Sequence, residues 1–329
     1  MQQRNIGSHQ VPAIGLGCMN LSHAYGHPPS EADAITLLHR AFELGVRHFD
    51  TAALYGFGSN ETLVGKALKS LRGEIHLASK CGMTGVDGKR VIDGRPETLV
   101  KTIDEALQRL QTDHIDLYYL HRWDKSVPIE ESMGALSKMV EQGKVGALGL
   151  SEVSADTLRK AHAVHPITAV QTEYSLWTRN AEIAVLDLCR EIGATFVAFS
   201  PVGRGFLCGG IDRPEQLVEG DIRRGMPRFQ EPYLSANQPW MADFAALAAE
   251  NNCSMAQLCL AWLLTRGEHV LPIPGTTSLA HLEENVGALE LALSEETLAK
   301  LDELINPNTV QGPRYPAATQ QEIDTEEFA

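Results

Sequence analysis

Residues 47–58 read RHFDTAALYGFG. The β-rich start of this stretch places a carboxylate, Asp50, at the end of an expected strand, and a phenol, Tyr55, on the loop that follows. Two later apolar runs end on titratable residues in the same way: Lys80 in EIHLASKCG and His121 in IDLYYLHRW. A carboxylate, a phenol, an ammonium and an imidazole at the ends of three successive strands make a proton-transfer site. The fold must then be one that gathers strand ends around a common mouth.

Working outward from this stretch, β-rich apolar runs alternate with longer amphipathic segments along the whole chain. The strand candidates are residues 13–17, 47–52, 75–80, 115–121, 145–151, 169–174, 195–201 and 270–275. Between them lie segments with apolar residues at spacings of three and four, such as EADAITLLHRAFELG, PETLVKTIDEALQRL and SADTLRKAHAV. Ser30 and Ser154 stand as N-caps, and Gly45 and Gly193 close helices. Strand and helix repeated in this way predict an α/β fold, a (β/α)8 TIM barrel, whose usual size of about 250 residues leaves room for additions. The additions expected are an N-terminal β-hairpin in RNIGSHQVPAIGLG, a long lid over residues 202–239 after strand seven, and an extra C-terminal helix in LSEETLAKLDELIN. No linker divides the chain, so one domain spanning residues 1–329 is expected, with a mobile tail from about residue 307.

Composition narrows the function classes. An apolar content of 43% over 329 residues supports a large core, and a formal charge of −14 argues against nucleic-acid or anionic-membrane partners. The N-terminus is polar, and the apolar run LCLAWLL is too short for a bilayer span of about 20 residues. The six cysteines show no CxxC pair and no metal-ligand spacing, which predicts free thiols, a cytoplasmic location and no metal. There is no P-loop, HExxH or GxSxG, and the 12 histidines are scattered.

In a barrel of this kind the active site lies at the C-terminal ends of the strands, where Asp50, Lys80 and His121 fall, with Tyr55 just beyond one of them. A phenol ordinarily titrates near pH 10, too high to protonate a developing alkoxide readily at neutral pH. A neighbouring Lys80 ammonium is expected to lower that value, and Asp50 to keep Lys80 charged. Taken alone, an Asp or Lys at a strand end is more often a cap or a rim charge. Four such groups converging on one mouth point to catalysis.

The chain resembles the aldo-keto reductases, and the resemblance covers nearly its whole length. It rests on GLGCMN, DTAALYG, ASKCG, YLHRWD, GLSE, VQTEYSLW, FSPVGRGFLCGG and IPGTTSLAHLEEN, in that order, and is nearer the bacterial, plant and fungal branch. It implies hydride transfer between NADPH and the carbonyl carbon of an aldehyde or ketone, with Tyr55 as general acid supported by Asp50, Lys80 and His121. By position, Ser151 and Gln171 would hold the nicotinamide carboxamide, with Met19 and Asp50 beside it, and Phe199 would stack on the ring. Ser200, Pro201, Val202, Gly203, Arg204 and Gly205 would follow the pyrophosphate, the glycines through close approach of main-chain amides and Arg204 through its charge. Gly275, Thr276, Thr277 and Ser278, at the opening of a helix, would take a phosphate, with His281, Glu284 and Asn285 toward the adenine. Thr277 and Ser278 stand where many NADPH-preferring relatives carry Lys or Arg, which leaves use of NADH open. Tyr25, Phe57, Trp123 and Trp177 would line the substrate pocket. The resemblance also admits a redox-sensing regulatory subunit of the same fold as the alternative to an enzyme.

Overall fold

The structure is a computed structural model and describes residues 2–328. It opens with an antiparallel hairpin of β1 (Gln3–Ile6) and β2 (His9–Pro12). The barrel strands follow: β3 (Leu16–Gly17), β4 (His48–Asp50) and β5 (His76–Cys81). A second hairpin, β6 (Met83–Val86) and β7 (Lys89–Ile92), is inserted next. The barrel resumes with β8 (Ile115–Leu120), β9 (Val145–Ser151), β10 (Ile167–Glu173), β11 (Thr195–Phe199) and β12 (Val270–Pro272). These form an 8-stranded parallel sheet in the order β3, β4, β5, β8, β9, β10, β11, β12. The amides of Gly15 and Gly17 donate to the carbonyls of Pro272 and Pro274 at 3.0 and 3.2 Å, which joins first strand to last. All eight expected strands are present, on somewhat different bounds. The seventh stops at Phe199 because Ser200 turns to a positive φ of 50°.

The helices that wrap the sheet begin where the sequence supplies caps. The Ser30 and Ser154 side chains accept from the amides of Asp33 and Thr157, opening α1 (Glu31–Glu43) and the helix 155–164. Along α1 the buried residues are Ala34, Leu37, Leu38 and Ala41, a spacing of three and four that keeps one face on the barrel. Inside, Leu117, Tyr119, Ala169, Val197 and Leu271 form a cluster with Ile6 and Val11 of the first hairpin, so the hairpin closes the barrel bottom. The expected C-terminal helix runs over Glu295–Leu304, capped by Ser294.

Two features differ from the sequence expectation or went unread by it. The β6–β7 hairpin is mostly polar and shows no apolar alternation; its signal was the Asp87-Gly88 pair, which adopts the two positive φ values, 50° and 73°, of a tight hairpin turn. The tail, expected to be mobile, is pinned to the barrel. Arg314 donates from Nη2 to both oxygens of Glu152 at 3.0 and 2.9 Å and to Glu173 at 3.2 Å. Asp324 accepts from the Ser154 amide, the Ser154 hydroxyl and the Thr157 hydroxyl at 3.1, 2.8 and 2.7 Å, serving as a cap delivered from the tail. Lys125 donates to the carbonyls of Gln321 and Ile323.

At the barrel bottom His48 and His76 start adjacent strands, and their Nδ1 atoms meet at 2.9 Å. Both rings are buried, and burial holds both well below the usual imidazole range, at about 3. The folded state therefore resists protons that the unfolded chain accepts from about pH 6.5 downward. Their contribution to stability is whole above that pH and is lost progressively toward about 3. In thermal melts across this interval the wild type should lose more stability than His48→Leu/His76→Leu; equal losses would refute it. Arg314→Met removes the shared partner of two buried carboxylates and should cost about 3–5 kcal/mol in urea unfolding.

Candidate active site

Each member of the expected tetrad reaches the site by a short, well-defined route. Asp50 ends β4, Lys80 is the penultimate residue of β5, and His121 directly follows β8. Tyr55 lies on the turn Tyr55–Gly58, where Gly56, Phe57 and Gly58 all take positive φ, of 55°, 52° and 93°. That tight reversal carries the Tyr55 ring back over the barrel.

The Lys80 side chain is fully buried and ion-paired with Asp50 Oδ1. Its ammonium also donates to the Thr51 carbonyl at 2.9 Å and to the Tyr55 hydroxyl at 3.3 Å. Gln171 Nε2 donates to Asp50 Oδ2 at 2.7 Å, so both carboxylate oxygens are engaged. The His121 and Tyr55 rings meet edge to face, with centroids 5.8 Å apart and planes at 87°.

The electrostatics correct one expectation. Burial pushes the Tyr55 phenol above its ordinary value, with Lys80 pulling the other way but not prevailing. The Lys80 ammonium favours phenolate as expected, but loss of hydration outweighs it. Burial works against the Lys80 ammonium too, yet Asp50 and Tyr55 together raise it, so it stays charged. Burial, helped by Arg122 and Lys80, holds His121 well below the usual imidazole range. At neutral pH the site thus presents a protonated phenol, a buried cation and a neutral imidazole, whose Nδ1 has no partner among the described residues.

Asp50, Tyr55 and His121 open into a cavity of about 1110 Å³. Ligand pockets commonly measure about 300–1,000 Å³, so this one has room for a dinucleotide and a small substrate together. Of the expected cofactor residues, Met19, Ser151, Gln171, Phe199, Ser200, Pro201, Val202, Arg204, Gly205, Gly275, Thr276, Thr277, His281, Glu284 and Asn285 line its wall. Gly275 shows why a side chain is excluded: a Cβ there would fall 2.4 Å from Asn20 Oδ1 and 2.8 Å from the Gly17 carbonyl.

Several expected residues lie off this wall or are engaged otherwise than expected. Gly203 is backed by Leu207 and Trp177, and the amides of Gly203 and Gly205 donate to the carbonyls of Ser200 and Val202 at 3.0 and 3.1 Å. These glycines shape the turn, and their own amides are used within it. Arg204 is paired with Glu173 at 2.8 Å and donates to the hydroxyls of Tyr25 and Tyr315, so its charge is matched by the barrel and the tail. The Ser278 hydroxyl accepts from the His281 amide as the cap of helix 279–287. Trp177 is buried and stacked on Phe206 at 4.2 Å, a core residue under the segment 202–239. Trp123 donates to the Val127 carbonyl at 2.9 Å and packs against the core, away from the cavity wall. Tyr25 and Phe57 do line the cavity.

Sequence reading missed other parts of the wall. Arg90 comes from the second hairpin, Ile222, Arg223 and Met226 from the segment 202–239, and Tyr315, Pro316 and Glu322 from the tail. Arg122 was in view, next to His121 in YLHRWD, but its neighbours emerge only in three dimensions.

Known proteins resemble this chain over nearly its whole length. The model of the Aldo/keto reductase family matches residues 13–306. A probable aldo-keto reductase 1 of Glycine max is 47% identical over 93% of this chain and 89% of its own length. The aldo-keto reductase yakc [NADP(+)] of Schizosaccharomyces pombe is 43% identical over 97% of this chain and 96% of its own. Among solved structures, a glycerol dehydrogenase of Gluconobacter oxydans superposes with a TM-score of 0.85 at 27% identity, covering 96% of this chain and 98% of that one. An aldo-keto reductase of Klebsiella pneumoniae in complex with NADPH gives 0.74 at 27% identity, over 96% and 99%. The chain belongs to the aldo/keto reductase family.

Proposed function

We propose that this chain reduces an aldehyde or ketone to the alcohol with NADPH, Tyr55 giving the proton to the carbonyl oxygen. The observation that carries the reading is the Tyr55 hydroxyl, hydrogen-bonded to a buried, Asp50-paired ammonium and facing a cavity shared with Ser151, Gln171 and the 275–285 wall. Bound NADPH supplies the hydride.

The residues present fit such a cofactor. Phe199 at the end of β11 offers a ring face, and Ser151 and Gln171 offer a hydroxyl and an amide for a carboxamide. Close packing of Gly275 against Asn20 and Gly17 sets the backbone that continues into Thr276, Thr277 and His281 at the start of helix 279–287, and Glu284 and Asn285 lie further along that helix on the same cavity wall. The S. pombe relative is named for NADP(+), and the Klebsiella structure holds NADPH, which supports the phosphorylated cofactor here.

The proton route follows from the charges. Tyr55 enters the reaction protonated, because burial disfavours phenolate. As negative charge grows on the substrate oxygen, the phenol proton moves to it, and the Lys80 ammonium at 3.3 Å stabilises the phenolate left behind. Asp50 and the Thr51 carbonyl hold that ammonium in place. His121, neutral, donates a hydrogen bond to the same oxygen without taking part in the transfer.

Tyr55→Phe should lower turnover of an aldehyde such as 4-nitrobenzaldehyde by about 10²–10⁴-fold, while NADPH affinity measured by fluorescence quenching stays near wild type. Retained turnover would assign the acid elsewhere. The same titration with both nicotinamides should show NADPH bound at least about tenfold more tightly than NADH. A preference for NADH would overturn the cofactor assignment.

A further inference from the structure

Four arginines line the cavity: Arg90, Arg122, Arg204 and Arg223. Three have matched charges: Arg90 with Glu322, Arg204 with Glu173 at 2.8 Å, and Arg223 with Asp221 at 2.6 Å. Arg122 differs. Its Nη1 donates to the His121 carbonyl at 2.6 Å and the Ser151 hydroxyl at 3.1 Å, and both acceptors are uncharged. Among the described residues no carboxylate pairs with it.

An unmatched guanidinium in a half-buried wall loses hydration without gaining a counterion. The chain has carboxylates in abundance, at a net charge of −14, and Asp50, Glu284 and Glu322 line the same cavity, yet among the described residues none forms an ion pair with Arg122. A guanidinium that lines a pocket, with Nη1 engaged and Nε and Nη2 without a partner among the described residues, offers a planar fork of donors that matches a planar anion. The cofactor phosphates do not match by position: their expected wall follows β11 and β12, whereas Arg122 follows β8 beside His121 and touches the end of β9. Its charge therefore belongs to the substrate side. Leu54, Phe57 and Met226 supply apolar surface in the same cavity. Arg90 also lines this cavity, but Glu322 matches its charge, which leaves Arg122 as the guanidinium without a carboxylate there among the described residues.

We propose that Arg122 is a specificity-determining residue that selects carbonyl substrates carrying a carboxylate on an apolar body, binding that group through Nε and Nη2 while Nη1 remains on His121 and Ser151. The inference rests on the reductase reading and names the substrate class of that site.

The test compares 4-carboxybenzaldehyde with 4-formylbenzamide, its uncharged near-isostere, as substrates for NADPH oxidation. The wild type should favour the carboxylate in kcat/KM by about tenfold to a hundredfold, mostly through KM, and the preference should shrink as KCl is raised. Arg122→Gln should bring the ratio close to one, and Arg122→Lys should restore part of it. If Arg122 only positions Ser151, both substrates fall together, NADPH affinity weakens and the ratio stays put; that result overturns the proposal. A wild-type ratio near one overturns it without any variant, which covers the case of an Arg122→Gln protein that fails to fold. Reduction of the amide by the wild type separates the two readings: turnover of it with no carboxylate preference sinks this inference alone, while no turnover of either aldehyde sinks the reductase reading.

Discussion

The Lys80 ammonium sits where water cannot reach it, and its three acceptors determine much of the surrounding architecture. An isolated cation there would shed its proton or unfold its surroundings. Asp50 from β4, the Thr51 carbonyl and the Tyr55 hydroxyl take its three N–H bonds, so one side chain ties a strand, the residue after it and a catalytic turn into one rigid unit. Gln171, from β10, holds the remaining oxygen of Asp50 from across the barrel. Asp50, Lys80 and Tyr55 are thereby held in one hydrogen-bonded unit anchored on two adjacent strands, with the His121 ring packed edge to face on Tyr55.

The same principle, charge matched to charge under little solvent, recurs around the mouth. Glu173 at the end of β10 accepts from Arg204 and Arg314, and Glu152 just beyond β9 accepts from Arg314. Two carboxylates at strand ends thus recruit one arginine from the segment 202–239 and one from the tail. Burial would raise Glu173, but the arginines hold it down at about 2, so it stays ionised across the working pH range. Glu152 itself takes a positive φ of 55°, a cost accepted where the chain must turn from β9 toward this network.

What was legible in the sequence follows from distance along the chain. Strands, caps and the tetrad are set by local pattern: Ser30 and Ser154 need only their own helices, and Asp50, Lys80 and His121 sit at fixed offsets from apolar runs. Trp177 and Trp123 were misplaced because loop membership says nothing of direction; Trp177 points into a stack with Phe206 under the lid segment. Arg204 carries a charge that the glycine-rich context suggested for phosphate, but its partner lies 31 residues earlier in the chain. The tail reads as polar and unpatterned, and its order comes from contacts with residues more than 140 positions away, which no window can register. The Tyr55 phenol was misjudged in direction for a related reason, since a neighbouring charge shows in the motif and depth of burial does not.

The tail clasp bears on how the mouth of the barrel is balanced in charge. Glu152 and Glu173 come from the barrel, and Arg314, the residue that spans them, from the tail. Without Arg314, Glu152 would lose its ion-pair partner among the described residues and Glu173 would keep only Arg204. The rim of the reaction chamber is thus completed by a guanidinium from outside the barrel, which makes the clasp part of the chamber's wall and not an appendage to it.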